Sequence, residues 1–254
     1  MSLTSFSFPT RTLFGAGSLR ELPAHLARLG IHRPLVVTDP GLARTDAFKS
    51  LEAVLGAAGR GSTWFVFDGV HPNPIEDDVR IPGAIIRDKG CDGVIAIGGG
   101  SPLDAGKAAR LLARKPDLDM ARFYDEPHDW SGIVPLIAIP TTAGTGSEVG
   151  RSSVITLDST KRKAVLFNPE LLAKLVILDP ELTVGLPPKL TAATGADALT
   201  HCIESYTCPA FHPMCGGIAL EGVRLIVDAL PRAVRNGADL DARGRMLVAA
   251  AMGA

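Results

Sequence analysis

Val94-Ile95-Ala96-Ile97-Gly98-Gly99-Gly100-Ser101-Pro102-Leu103-Asp104-Ala105-Gly106-Lys107 is the stretch whose reading decides the fold. Its apolar run reads as a buried strand, its three glycines as a tight turn, and Ser101 to Ala113 as a helix. Glycines let backbone amides approach a ligand, Ser101 can cap the helix, Pro102 suits its first position, and Asp104 completes a capping box. A helix start with free N–H groups and a positive dipole end favours a pyrophosphate. The same residues also suit a tight strand-to-helix turn that binds nothing.

Outward from this unit, strands and helices alternate. Leu35-Val36-Val37 reads as a short strand ending at Asp39-Pro40-Gly41, and a helix is expected from about Ala47 to Ala58, with Phe48, Leu51 and Leu55 at helical spacing. Trp64 to Phe67 is the next strand, a helix runs through Ile85 and Ile86, and a further strand lies near Ile133 to Ile139. Upstream, Phe6, Phe8 and Leu13-Phe14 around Pro9 and Thr10 suggest an opening hairpin closed by Gly15 and Gly17. This order argues for a largely parallel sheet. After Asp179-Pro180 the patterns turn helical: Leu190 to about Tyr206, Gly217 to Leu230, and Asp241 to the end, separated by Pro209, Pro213 and Pro231. The expected fold is an α/β dinucleotide-binding domain with a mainly parallel sheet over residues 1–180. An all-α domain follows over 181–254, with only its first helices present.

Composition narrows the function classes. The 254 residues carry 26 basic against 27 acidic side chains, a net charge of -1, which gives no electrostatic case for nucleic acid or an anionic membrane. The longest apolar run, Ile133 to Ile139, is far too short to span a bilayer and is broken by Pro135. Cys91, Cys202, Cys208 and Cys215 form no C-x-x-C pair, and nothing at the N-terminus reads as a secretory signal. A reduced, cytoplasmic compartment is expected, with all four thiols buried. Met1-Ser2-Leu3 has the look of a cloning leader and is left out of fold reasoning.

Three further groups bear chemistry. The common G-x-G-x-x-G fingerprint is absent, and the candidate ribose-binding acid, Asp39, comes before the glycine turn rather than after it. A carboxylate there can accept both ribose hydroxyls and repel a 2′-phosphate, favouring NAD over NADP; before Pro-Gly it also suits a plain turn. Ile139-Pro140-Thr141-Thr142-Ala143-Gly144-Thr145-Gly146-Ser147-Glu148 places hydroxyls and glycines directly behind a strand, where parallel sheets bind ligands. Asp197 and His201 stand four apart, hence one helical turn apart on one face. Such a pair can share a divalent metal or simply hydrogen-bond to each other.

The glycine turn with Asp104 and Lys107, the Pro140 to Glu148 run and the Ala192 to Glu204 stretch together resemble the signatures of the iron-containing (group III) alcohol dehydrogenases, which have a dehydroquinate-synthase-like fold. The match runs from the opening hairpin to the last residue. The resemblance implies a metal-dependent oxidoreductase moving a hydride between an alcohol and NAD. The dinucleotide would be lined by Asp39, Asn73, Gly98, Gly99, Gly100, Ser101, Asp104, Thr141, Thr142, Thr145, Ser147 and Lys163, with Lys163 as a cation. Asp197 and His201 would be metal ligands and catalytic, with iron as the expected ion and zinc as the alternative. Two further histidines from a later glycine-rich helix complete the family's site, and the chain reaches Met252-Gly253-Ala254 just where that helix is expected to begin, which reads as a C-terminal truncation. A small alcohol or aldehyde is the expected partner, in a homo-oligomer. A polyol dehydrogenase, a dehydroquinate-synthase-like enzyme and a catalytically silent nucleotide-binding fragment are the alternatives.

Overall fold

The computed structural model describes residues 10–57, 63–125 and 127–254. Six strands form one all-parallel sheet: β1 (Thr12–Phe14), β2 (Pro34–Val37), β3 (Phe65–Phe67), β4 (Gly93–Gly98), β5 (Leu136–Pro140) and β8 (Leu175–Leu178). β6 (Ser152–Thr156) and β7 (Lys163–Phe167) make a separate antiparallel hairpin. The large sheet has the order β1-β8-β5-β4-β2-β3. From β2 the chain adds β3 on one side and β4 on the other, so the order reverses between β2 and β4. At such a reversal the two following loops diverge and leave a crevice beyond the strand ends.

The helices are α1 (Leu22–Leu29), α2 (Asp46–Ala57), α3 (Asp77–Asp88) and α4 (Gly100–Arg114), then α5 (Pro188–Thr207), α6 (Pro213–Arg235) and α7 (Leu240–Gly253). The apolar run of β4 is explained by two cores. Val94 and Ala96 pack with Leu103 and Ala105 of α4 and Ile86 of α3. Ile95 and Ile97 pack on the other face with Leu22 and Leu26 of α1 and Leu51 and Leu55 of α2. Each of the Val, Leu and Ile side chains among them contributes roughly 1.5–3 kcal/mol by leaving water. α4 lies close on the sheet because Gly106 has no side chain; one there would begin 2.7 Å from Ala96 Cβ.

α5, α6 and α7 pack on one another around Ala198, Cys202, Ile226, Ala229 and Met246. Leu247 of α7 reaches the sheet core, so the two parts share a boundary rather than a linker. No helix of the described residues is long and apolar enough to cross a membrane.

Several expectations need correction. Phe6, Phe8 and Pro9 of the expected opening hairpin lie outside the described residues, as does Ala58; the described remainder of the hairpin, Thr12–Phe14, pairs in parallel with β8. Pro231 does not end a helix, because α6 runs through it to Arg235. Losing one backbone hydrogen bond is outweighed there by burial of Ile226, Ala229 and Ala233 against α5 and α7. The capping box is absent: α4 begins at Gly100 with Gly99 as N-cap and no side-chain cap, and the Asp104 carboxylate is bonded elsewhere. Cys91 and Cys202 are buried, but Cys208 is exposed and Cys215 half-buried, because both sit at helix ends around the α5–α6 turn.

Candidate functional site

The turn after β4 is built on glycine. Gly98 has φ 146°, and a side chain there would begin 2.7 Å from Pro102 Cγ. At Gly100 it would begin 2.9 Å from Thr145 Cγ2, whereas at Gly99 the nearest atom is Thr142 Oγ1 at 3.4 Å. Gly98 and Gly100 are therefore closed to substitution by packing, while Gly99 faces space. With no side chain capping α4, its first turn keeps the positive character that suits an anion.

The hydroxyl-rich loop after β5 lies directly on this turn. Thr141 N–H donates to Gly98 O at 2.9 Å, continuing the β4–β5 ladder past its end. Asp39 lies in the loop just after β2, across the crevice, and its Oδ1 accepts the backbone N–H of Gly41 and of Leu42, both at 2.9 Å. That makes Asp39 a turn residue at the lining of the cleft. The crevice is a cleft of about 1230 Å³, and Asp39, Gly99, Gly100, Ser101, Thr141 and Thr142 line it together with Leu186, Pro187 and Leu190 of the helical part. Its volume suits a dinucleotide-sized ligand.

The other anticipated residues stand outside the cleft lining. Thr145 packs beneath Gly100. Asp104 Oδ1 accepts from Ser147 Oγ at 2.6 Å and from Lys107 Nζ at 3.4 Å, and its Oδ2 accepts from Val154 N–H at 3.0 Å. Lys107, wholly buried, donates to Ser147 Oγ and to Ser152 O, both at 2.7 Å. Asp104, Ser147 and Lys107 thus fasten the second loop and the β6–β7 hairpin to the first helix. Burial pushes the Lys107 ammonium below its ordinary value, opposed by the Asp104 charge. Glu148 beside it is pushed up to about 7 by burial, against the pull of Lys107. Asn73 has φ 58° in the exposed loop that Thr156 meets through its N–H on Pro74 O, and Thr156 pairs with exposed Lys163. Asn73 and Lys163 accordingly occupy neighbouring segments at one edge.

Two anchors escaped the sequence reading. Buried Asp78 accepts His71 N–H, His71 Nδ1–H and Ile75 N–H at 3.1, 2.9 and 3.0 Å, which sets the loop holding Asn73. Buried Asp179 accepts from Gly17, Leu19 and Glu181 N–H at 3.0, 2.9 and 3.0 Å, closing the far wall of the cleft. Their only signals are an acid near a Pro-rich loop and an Asp-Pro step, both too common to single out.

Asp197 Oδ1 and His201 Nε2 are 3.8 Å apart on α5, too far for a hydrogen bond, with the side chains 44% and 32% exposed. A side chain at Gly144 would begin 3.3 Å from Asp197 Oδ2, and one at Gly253 3.1 Å from His201 Cβ. The pair therefore stands between the hydroxyl-rich loop and the end of α7. A carboxylate and an imidazole suit iron or zinc. Among the described residues no third His, Cys, Asp or Glu joins them.

The family described as iron-containing alcohol dehydrogenase matches residues 9–180, and its C-terminal counterpart matches residues 191–254. The chain is 43% identical over 251 residues to a 4-hydroxybutyrate dehydrogenase of Cupriavidus necator, covering 95% of this chain and 62% of that one. It is 40% identical to the probable alcohol dehydrogenase EutG of Escherichia coli, covering 98% of this chain and 62% of the relative. Among solved structures it superposes with TM-score 0.91 on a 1,3-propanediol oxidoreductase at 35% identity, covering 99% of this chain and 65% of the other. A sulfoacetaldehyde reductase from Bifidobacterium kashiwanohense in complex with NAD+ also gives TM-score 0.91, at 32% identity, over 100% and 66% of the two chains. The chain thus spans somewhat under two thirds of the length of these relatives.

Proposed function

Since the chain belongs to the iron-containing alcohol dehydrogenase family, we propose that it forms the nucleotide cleft and half of the metal site of an NAD-dependent alcohol:aldehyde oxidoreductase. One observation carries the reading. The loop that closes the glycine turn at Thr142 and Thr145 also runs close to Asp197 at Gly144, where a side chain would begin 3.3 Å from its Oδ2, so one short segment would space the nucleotide from the metal pair.

In this reading the α4 start and Gly99 take the pyrophosphate, Asp39 the adenosine ribose, and Thr141 and Thr142 the phosphate or nicotinamide side of the cleft. Asn73 and Lys163 rim the edge, while Asp104, Thr145 and Ser147 hold the loops in place. NAD, present in one of the solved relatives, would supply the hydride acceptor. A divalent ion on Asp197 and His201, iron or zinc, would supply Lewis-acid assistance to the substrate oxygen. The protein's own part is orientation: the close approach of Gly144 to Thr194, where a side chain would begin 3.1 Å from Thr194 Cβ, fixes how far α5 stands from the second loop, and Leu186 and Leu190 give the cleft part of its apolar lining.

The names of the relatives favour a short alcohol, diol or hydroxy acid as substrate. The division at residue 180, a homo-oligomeric assembly, a cytoplasmic location and the absence of nucleic-acid partners belong to the same proposal. NADH titration by calorimetry tests it. A single NADH per chain, lost in Gly99→Val, is the expected result; no binding by the parent overturns it.

A further inference from the structure

Beside Asp39 the cleft is lined by His71, in the loop that follows β3. Val70 N–H donates to Thr38 O at 3.3 Å, so the chain leaving β3 runs beside the end of β2, and Asp39 and His71 each stand one residue past that bond. A buried acid orients the ring. Asp78, 2% exposed, accepts the His71 backbone N–H at 3.1 Å and pairs with ring Nδ1 at 2.9 Å. A carboxylate only accepts, so the ring proton sits on Nδ1, and Nε2 of the neutral ring carries a lone pair. The two ring nitrogens diverge, which turns Nε2 away from Asp78. The His71 side chain is 61% exposed, and among the described residues Nε2 has no hydrogen-bond partner. One acceptor is thus preset at the cleft lining.

Asp39 by itself is short of acceptors for a ribose. Its Oδ1 already takes the amides of Gly41 and Leu42, which fills both lone pairs of that oxygen. Oδ2 is left for a ligand. A ribose presents two adjacent hydroxyls, and holding both in good geometry takes one acceptor atom for each. His71 supplies the second acceptor on the adjoining segment.

We propose that His71 is a specificity-determining residue of the cleft, its Nε2 accepting one hydroxyl of the adenosine ribose while Asp39 Oδ2 accepts the other. The assignment rests on the nucleotide reading of the cleft. It selects a ribose with both hydroxyls present, because a deoxyribose leaves one acceptor unpaired and a 2′-phosphate sets anionic oxygens against acceptors.

The test is calorimetric titration of the parent and of His71→Asn with NADH and with its adenosine 2′-deoxy and 3′-deoxy forms. Asparagine keeps an amide N–H near the place of Nδ1, so the bond to Asp78 and the loop it secures persist, but it has no atom where Nε2 stands. NADH should bind the variant about tenfold more weakly than the parent. One deoxy form should bind parent and variant alike, since the hydroxyl that His71 would meet is already gone, while the other keeps the tenfold loss. An equal loss for all three ligands, or no loss for NADH, would overturn the assignment and leave the cleft reading standing. Failure of the parent to bind NADH would overturn the cleft reading and the assignment with it.

Discussion

The loops that follow β4 and β5 are fastened by a hydrogen-bond network, whereas the Asp197–His201 pair on α5 stands between the second loop and the end of α7 with no hydrogen bond between its two members. Around the first, Gly98, Gly100, Thr145, Asp104, Ser147 and Lys107 are each locked by a neighbour within contact distance. Around the second, the two side chains are 3.8 Å apart, and among the described residues no third His, Cys, Asp or Glu joins them. A nucleotide site needs backbone placed closely and in advance, and the fold of this chain alone can do that. A metal site needs converging donors from several segments, which these residues do not complete. On the proposed function, this contrast predicts nucleotide affinity in the chain itself and only weak metal affinity.

The sharpest way to break the first half is to cut its fastening. Asp104→Ala leaves the buried Lys107 ammonium without its carboxylate, which should cost about 3–5 kcal/mol in chemical denaturation. A loss within experimental error would mean that the network does not hold the loops.

Gly99→Val places a branched side chain in open cleft rather than in packed atoms. NADH affinity should fall at least roughly 100-fold, equivalent to about 2.7 kcal/mol, with little change in melting temperature. Gly98→Ala is the contrast: its φ of 146° and the nearby Pro102 make that change a stability loss, readable by melting, of about 2 kcal/mol.

Acidity probes the same fastening. Glu148 is buried with a carboxyl pushed up to about 7 against 4.5 for the ordinary group, so the folded chain holds a proton that the unfolded chain has lost between those values. Stability from this group is fully present below about pH 4.5 and falls as pH rises through about 7, by on the order of 1–3 kcal/mol. Glu148→Gln should flatten that stretch of the stability–pH curve; an unchanged slope would remove Glu148 as its source.

Asp39→Gly is the mildest change. It removes the acceptor of two turn amides and the charge that would oppose a 2′-phosphate. The ratio of NADH to NADPH affinity should shrink by about tenfold in paired titrations. Equal affinity of the parent for both cofactors would count against the role given to Asp39.

What could be read from residues alone follows the same divide. The β4 run, three glycines and the helix after them are legible because a buried parallel strand and a turn with positive φ admit few residue types. Asp197 and His201 are legible as a spaced pair, but only the three-dimensional arrangement shows that the second loop runs close to Asp197 and the end of α7 close to His201. The capping box failed because it weighs Asp104 against its own helix only. In the fold, Ser147 and Val154 approach from 43 and 50 residues away and donate to the carboxylate. The β6–β7 hairpin escaped because Ser152–Thr156 mixes polar and apolar residues over a short span and is secured by Lys107, a contact no local pattern carries. Pro231 misled because the helix-breaking rule is local while the burial of α6 is not.

The most direct test of the contrast is a pair of titrations on the same 254-residue chain, one with NADH and one anaerobically with ferrous ion, each followed by dialysis and elemental analysis. The account predicts a single bound NADH and an iron content that dialysis removes, with Asp197→Ala and His201→Ala changing the first titration little. Stoichiometric iron that survives dialysis in the parent and is lost in either variant would contradict it.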